Sequence, residues 1–408
     1  MLQFSFSLPR IFPLWERSQF KIPPPKSHDL ENAPEKPARA LKYLIKLNHA
    51  NHAILFHERK FYNHVPHLLS SAWVQGADAD ELHRLYEDES KAMEPWVDSP
   101  GEISLDDWRD FLGRREYQRA FVNYFEDELV RQGYDWKEVV NEYLFSGEEP
   151  LFNSLITDLG HPLIHLSYAY EFSSRELAME ALGLAATTHN PIHKYLSDPI
   201  YTKTESSYHT PSLFDILSRV RTDKRFHGLF GTPGNENIEQ IFSTREDALL
   251  DHWNAWSIEG DTAKQFRETQ ELATALLLGT HADGSEGYDF FFLHVLTTSH
   301  AVRILLPLIP AKFQLPLVRQ WWLMTLSVYI AQLRPEIHVN RIQDVELKGR
   351  DWKWVAGMAV KGEKKDAHYV KVLRVLREAA GTWGDDEGYY LRAAARFAEE
   401  FVGWGGFV

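Results

Sequence analysis

From about Pro37 onward, apolar residues recur at three- and four-residue intervals through most of the chain. The segments EYQRAFVNYFEDELVRQG, SRELAMEALGLAATTH, TAKQFRETQELATALLLG and EGYYLRAAARFAEEFV each carry an apolar stripe of that period, the mark of a helix with one buried face. The two-residue alternation of strands is hard to find. The pattern therefore predicts an all-α protein, a single large helical-bundle domain in which two helical halves surround a common centre. Residues 1–38 read as an extended N-terminal arm, polar from Lys21 to Pro37, and 39–196 as the first helical half. Residues 197–245, rich in Ser, Thr, Pro and Gly, read as a long connection with one short helix, and 246–408 as the second half.

Two stretches of the first half share a pattern: NHVPHLLSSAWVQGADADEL and GHPLIHLSYAYEFSSRELAMEAL. Each has two histidines around a proline, a run of aromatic and small residues, and then an acidic or Ser helix start. They read as equivalent helices around one centre. The most apolar stretch, WWLMTLSVYIAQL, is flanked by Arg319 and Arg334 and is too short to span a bilayer, so it reads as a core helix. No membrane partner is expected.

Composition narrows the classes further. In 408 residues, 44% are apolar, with 13 Trp, 17 Tyr and 24 Phe, enough for a core with large aromatic walls. The net charge of −14 argues against a nucleic-acid partner, because phosphate contacts need clustered Lys and Arg. With no cysteine, thiolate metal sites and disulfides are excluded; any metal must use nitrogen and oxygen ligands, and a cytoplasmic location is the simpler expectation. The pattern sets no oligomeric state.

Among the 19 histidines, those on apolar faces are the informative ones. His64 and His67 form an HxxH pair, and His161 and His165 an HxxxH pair whose i, i+4 spacing lets two imidazoles meet one ion. His294 sits inside YDFFFLHVLTTSHAVRILL, where an imidazole needs a partner. His368 precedes Lys371 in DAHYVKVLRVL, on the face that periodicity assigns to the core. A lone core histidine is ordinarily satisfied by a backbone carbonyl, and His281, His300 and His338 are read that way. A lysine at such a place ordinarily runs its stem along the core edge to water. Fully buried beside a cation site, it would instead be forced neutral. A neutral amine can take up carbon dioxide and become an anionic carbamate ligand.

Taken in order, these segments resemble the questin oxidase family of fungal secondary metabolism, which includes Baeyer–Villiger-type oxidases of anthraquinone and aflatoxin pathways. The resemblance rests on FYNHVPHLLSSAWVQGADADELHRLYED, WRDFLGRREYQRAFVNYFEDEL, VVNEYLF, GHPLIHLSYAYEF, YDFFFLHVLTTSHAVRILLP and DAHYVKVLRVLREA, spanning about residues 40 to 380. Tyr62 stands where the family's HNH motif has its first histidine. The resemblance implies an oxygen-dependent oxidoreductase, a non-haem iron dioxygenase or Baeyer–Villiger-type monooxygenase. Such an enzyme opens a quinone ring of a planar aromatic polyketide, with O2 as oxidant and NADPH as external reductant. It further implies Fe(II) held by four histidines and a carboxylated lysine, which here would be Lys371. By position His294 and His368 are the firmest ligands, with His64 and His161 favoured over the alternates His67 and His165. Lys371 and His368 are thereby the candidate catalytic residues.

Trp73, Tyr168, Tyr170, Phe291, Phe292, Trp321 and Trp322 are candidates for an aromatic-walled substrate pocket, although core packing is the more ordinary use of each. No GxGxxG opens a βαβ unit, so no flavin is expected. Two other classes have sequence requirements of their own. A metal-dependent helical hydrolase needs a His followed directly by Asp on core helices, and the one HD dipeptide, His28 with Asp29, lies in the polar arm. A non-catalytic α-helical scaffold needs a sustained repeat, which does not appear.

Overall fold

The computed structural model describes residues 20–407 apart from 283, 285 and 365. The first 19 residues of the predicted arm lie outside them. The helices run α1 (Lys36–Asn51), α2 (Val65–Val74), α3 (Ala79–Glu89), α4 (Gln118–Arg131), α5 (Trp136–Phe145), α6 (Thr157–Phe172) and α7 (Arg175–Thr187). Four short ones follow: α8 (Lys194–Ser197), α9 (Pro199–Thr202), α10 (Leu213–Thr222) and α11 (Glu236–Thr244). The chain then continues with α12 (Glu246–Asn254), α13 (Thr262–Gly279), α14 (Phe290–Leu305), α15 (Ala311–Ala331), α16 (Asn340–Gln343), α17 (Trp352–Lys361), α18 (Ala367–Trp383) and α19 (Tyr389–Glu400). The fold is all-α, as the periodicity predicts.

The stretch 197–245 departs from the expectation of one short helix, since α9, α10 and α11 all fall within it. Asp198 accepts from the Ile200 N–H with Pro199 in the first turn of α9, and Ser212 accepts from the Asp215 N–H at the start of α10. Ser, Asp and Pro mark loops, but they also mark helix starts, and here they do the second.

One hydrophobic core takes in residues from Phe20 to Phe401, so helices from both sides of that stretch share it. At its centre α6 packs on α7 and α14, and α18 packs on α2 and α14. The apolar stretch beginning at Trp321 is the buried C-terminal part of α15. Among the described residues no helix is long and apolar enough to cross a membrane.

Two small strand pairs fix the ends of the central helices. Leu55–Phe56 pairs antiparallel with Phe61–Tyr62, just ahead of α2. Tyr288–Asp289 pairs in parallel with Trp404–Gly405, just ahead of α14. Asp289 caps α14 through the Phe291 and Phe292 N–H groups, and Asp366 caps α18 through those of His368 and Tyr369. The first turn of α6 is broken: Asp158, Leu159 and Gly160 are consecutively left-handed, with φ of 48°, 58° and 75°. Gly160 has no substitute there, because a Cβ would lie 2.5 Å from Thr298 Cγ2 of α14.

Candidate metal centre

The N-terminal ends of α2, α6, α14 and α18 converge. His64 is the N-cap residue of α2, His161 follows the left-handed run of α6, His294 is in the second turn of α14, and His368 is in the first turn of α18. His64 Nε2 and His368 Nε2 are 3.1 Å apart. One ring nitrogen from each of His64, His294 and His368 lies within 4.8 Å of the others. The His161 ring is centred 5.1 Å from that of His64 and 4.8 Å from that of His294.

Three of these rings are locked in one tautomer by the backbone. His64 Nδ1–H donates to Tyr62 O at 2.5 Å, His161 Nδ1–H to Asp158 O at 2.5 Å, and His294 Nδ1–H to Phe290 O at 2.8 Å. A carbonyl can only accept, so the proton is on Nδ1 and each Nε2 carries a lone pair. His368 Nδ1 lies 3.7 Å from the Asp366 carboxylate. Burial, together with neighbouring Lys371, holds His64 and His368 well below their ordinary pKa and brings His294 down to about 3. Burial and the His294 ring do the same for His161. All four are neutral, the form that binds metal.

Lys371 lies one turn beyond His368 and is 1% exposed. Its Nζ has no hydrogen-bond partner among the described residues. Burial pulls its pKa down to about 7, with Asp366 and Glu89 pulling the other way. His294 Nε2 is likewise buried without a partner among the described residues. Converging ring nitrogens of His64, His294 and His368, a partnerless ring nitrogen and a readily neutralised amine together fit a bound cation, because each would otherwise carry an uncompensated desolvation cost. The positive ends of four helix dipoles also point here, so an anionic co-ligand or substrate group is favoured beside the cation.

His67 and His165 form the next layer. The His67 ring stacks on Tyr168 at 4.6 Å and meets the His165 ring edge-on at 4.7 Å, and both its nitrogens are buried without partners among the described residues. His165 Nε2–H donates to Glu180 Oε2 at 2.6 Å. Glu180 Oε1 accepts from His49 Nδ1 at 2.7 Å, and His49 Nε2 reaches Glu126 at 2.8 Å. Sequence reasoning missed this chain; the available signal is a glutamate in the middle of the apolar run LAMEALGLAA.

The aromatic candidates are dispersed. Tyr168 touches His67, and its hydroxyl lies 2.7 Å from Ser71 Oγ. Trp73 packs on Phe172 and His28, Tyr170 on Trp136, Phe291 on Phe407, Phe292 on Tyr329, and Trp322 on Trp256. Trp321 Nε1–H donates to Val295 O. The rings that border the histidine layer are others. Tyr62 stacks on His161 at 3.7 Å, and Phe290 lies 4.6 Å from His294 and 4.9 Å from His368. Trp404 is 6.0 Å from His368. Of the histidines read as backbone-satisfied, His300 has no hydrogen-bond partner on either ring nitrogen among the described residues.

A cleft of about 670 Å³ opens beside α6, with Leu159, Tyr195, Phe242, Met324 and Asp158 among its walls. None of the seven aromatic candidates lines it. Asp158 belongs both to the cleft wall and to the run whose carbonyl orients His161. Its carboxylate accepts from the Tyr62 hydroxyl and from Arg115.

Comparison with known proteins bears on the same residues. The questin oxidase-like family profile matches residues 61–376, which include every histidine of the layer and Lys371. The chain is 26% identical to the Baeyer-Villiger oxidase mdpL of Emericella nidulans over 86% of its own length and 77% of that protein's. It is 26% identical to the questin oxidase of Aspergillus terreus, over 83% and 79% respectively. With the oxidoreductase AflY of Aspergillus parasiticus it shares 27% identity over 86% and 75%. These names support an oxidoreductase. The chain belongs to the questin oxidase-like family.

Proposed function

We propose that this protein is an oxygen-dependent oxidoreductase that opens a quinone ring of a planar aromatic polyketide, an anthraquinone-like molecule, at a non-haem iron centre. The observation that carries the reading is the meeting of His64, His294 and His368 ring nitrogens within 4.8 Å of one another, with the His161 ring beside them and a buried lysine that has no hydrogen-bond partner among the described residues. His64, His161, His294 and His368 would hold the iron through nitrogen, and Lys371 through a carbamate oxygen. Forming the carbamate joins Lys371 Nζ to the carbon of carbon dioxide and releases one proton. A neutral amine is required, which burial of Lys371 favours. Iron(II), when bound, supplies the one-electron reactivity toward dioxygen that a closed-shell aromatic molecule lacks.

The chain's own residues do the rest. The cleft beside α6 offers Leu159, Phe242 and Met324 as apolar walls for a flat ring system. The converging helix N-termini stabilise a substrate phenol in its ionised form. Glu180 holds the proton of His165 on Nε2, leaving Nδ1 as the basic atom of that ring. NADPH acts as an external reductant by converting the quinone to a more electron-rich form, and no dinucleotide site on the chain is needed. The oxidase names of the relatives favour this reading over a helical hydrolase or a scaffold.

The test is oxygen consumption by the iron-loaded protein with a panel of anthraquinones, products being followed by mass. Incorporation of oxygen with ring opening supports the proposal; no turnover of any quinone, oxidised or pre-reduced, contradicts it. The role given to NADPH has its own test. Pre-reduced substrate mixed anaerobically with enzyme, without NADPH, must give product once oxygen is admitted.

A further inference from the structure

Beyond the histidine layer the axis of the central helices stays polar. Six residues past His368 on α18 comes Arg374, and six past His294 on α14 comes His300, each about 9 Å of helix rise away. Arg303 follows His300 by one turn. All three are buried: Arg374 is 1% exposed, His300 3% and Arg303 5%.

Their hydrogen-bonding capacity is mostly unused. Arg374 Nη2 donates to Glu171, and its guanidinium lies over the Tyr168 ring at 5.0 Å, but Nε and Nη1 are buried without partners among the described residues. Arg303 Nε and Nη1 are also buried without partners, and among the described residues no hydrogen bond or ion pair is made by this side chain. Both ring nitrogens of His300 are in the same position. The two guanidiniums lie within each other's field, and His300 within the field of both. Of the nearby carboxylates, Glu171 is already engaged with Arg374, and Glu378 makes no hydrogen bond to either arginine among the described residues.

Glu171 and Glu378 supply opposing charge to both arginines, but the buried Nε and Nη1 donors still lack acceptors, which is strongly disfavoured unless something supplies acceptor oxygens. We propose that Arg303, Arg374 and His300 form a buried binding site for a small planar oxyanion of the carboxylate class. Such an ion presents two coplanar oxygens, which suit the planar donor array of a guanidinium, while His300 supplies a neutral N–H. The ion is either free, as formate or bicarbonate, or the carboxylate of an aromatic molecule. The site does not depend on the metal centre being occupied.

The experiment is thermal unfolding of the full-length protein titrated with sodium formate, sodium bicarbonate or sodium benzoate. Each is compared with a bulky sulfonate buffer anion at equal ionic strength. A saturable rise in melting temperature with formate and bicarbonate only identifies a free ion; one with benzoate as well identifies an aromatic carboxylate as the source. Arg303→Lys keeps the charge but loses the planar fork, and weakens the half-maximal concentration about tenfold or more. Crystals grown in formate then show trigonal density between the two arginines. A rise that does not saturate, or that is equal in wild type and Arg303→Lys, overturns the proposal, as does density of water alone.

Discussion

His64 Nε2 and His368 Nε2 face each other at 3.1 Å although 304 positions separate them in the chain. The Nδ1–H of His64 is committed to Tyr62 O, so its Nε2 can only accept. Without a cation, His368 would have to turn an Nε2–H toward it; with one, both rings present lone pairs. The relationship makes each ring's contribution separately testable.

The two members of the HxxxH pair should behave differently. His161→Ala removes a ring of the inward-facing layer and is expected to lower iron affinity about 100-fold, with little change in apo-protein stability. His165→Ala leaves Glu180 short of one donor and is expected to cost about 3 kcal/mol of stability, with a smaller effect on iron. Metal titration and urea unfolding of both variants separate the two roles.

The buried His49–Glu180 pair should shape stability against pH. Burial opposes charge on His49, but hydrogen bonds to Glu126 and Glu180 raise its pKa from 6.5 to about 10. That contribution is complete below pH 6.5 and disappears as pH rises through about 10. Burial likewise opposes charge on Glu180, yet hydrogen bonds from His165 and His49 lower it from 4.5 to about 2. Its contribution is complete above pH 4.5 and is lost as pH falls through about 2. Urea unfolding of wild type should show stability falling between pH 6.5 and about 10, and His49→Gln should remove that fall.

Gly160 should be intolerant of a side chain. Gly160→Ala places a Cβ 2.5 Å from Thr298 Cγ2 at a φ of 75°. The backbone conformation alone costs about 1–2 kcal/mol, and the clash adds to it. Because the strained run positions His161, iron affinity should drop together with stability. Thr298→Ser, which removes the Cγ2 methyl, should restore part of both in the double variant, as read by calorimetry and metal titration.

Much of this was legible in the sequence, for physical reasons. The 3.6-residue stripes give the long helices because each must bury one face. His294 and His368 stand out because a polar ring among Phe, Leu and Val cannot go unexplained. Choosing within the HxxH and HxxxH pairs was not legible from spacing. His64 is an N-cap residue outside the regular turns of α2, and the left-handed run just ahead of His161 has no signature in the spacing of the histidines. Ring size marks the aromatic candidates, but ring size serves core packing equally well. Phe290 and Tyr62 border the histidines only because short strand pairs hold the helix starts in place.

The central claim, that Lys371 joins the histidines around an iron, is tested most directly by the metal content of the purified protein. Wild type and Lys371→Ala are compared by elemental analysis with bicarbonate present throughout. The account predicts about one iron per chain in wild type and much less in the variant. No metal in either protein, or equal iron in both, would contradict it.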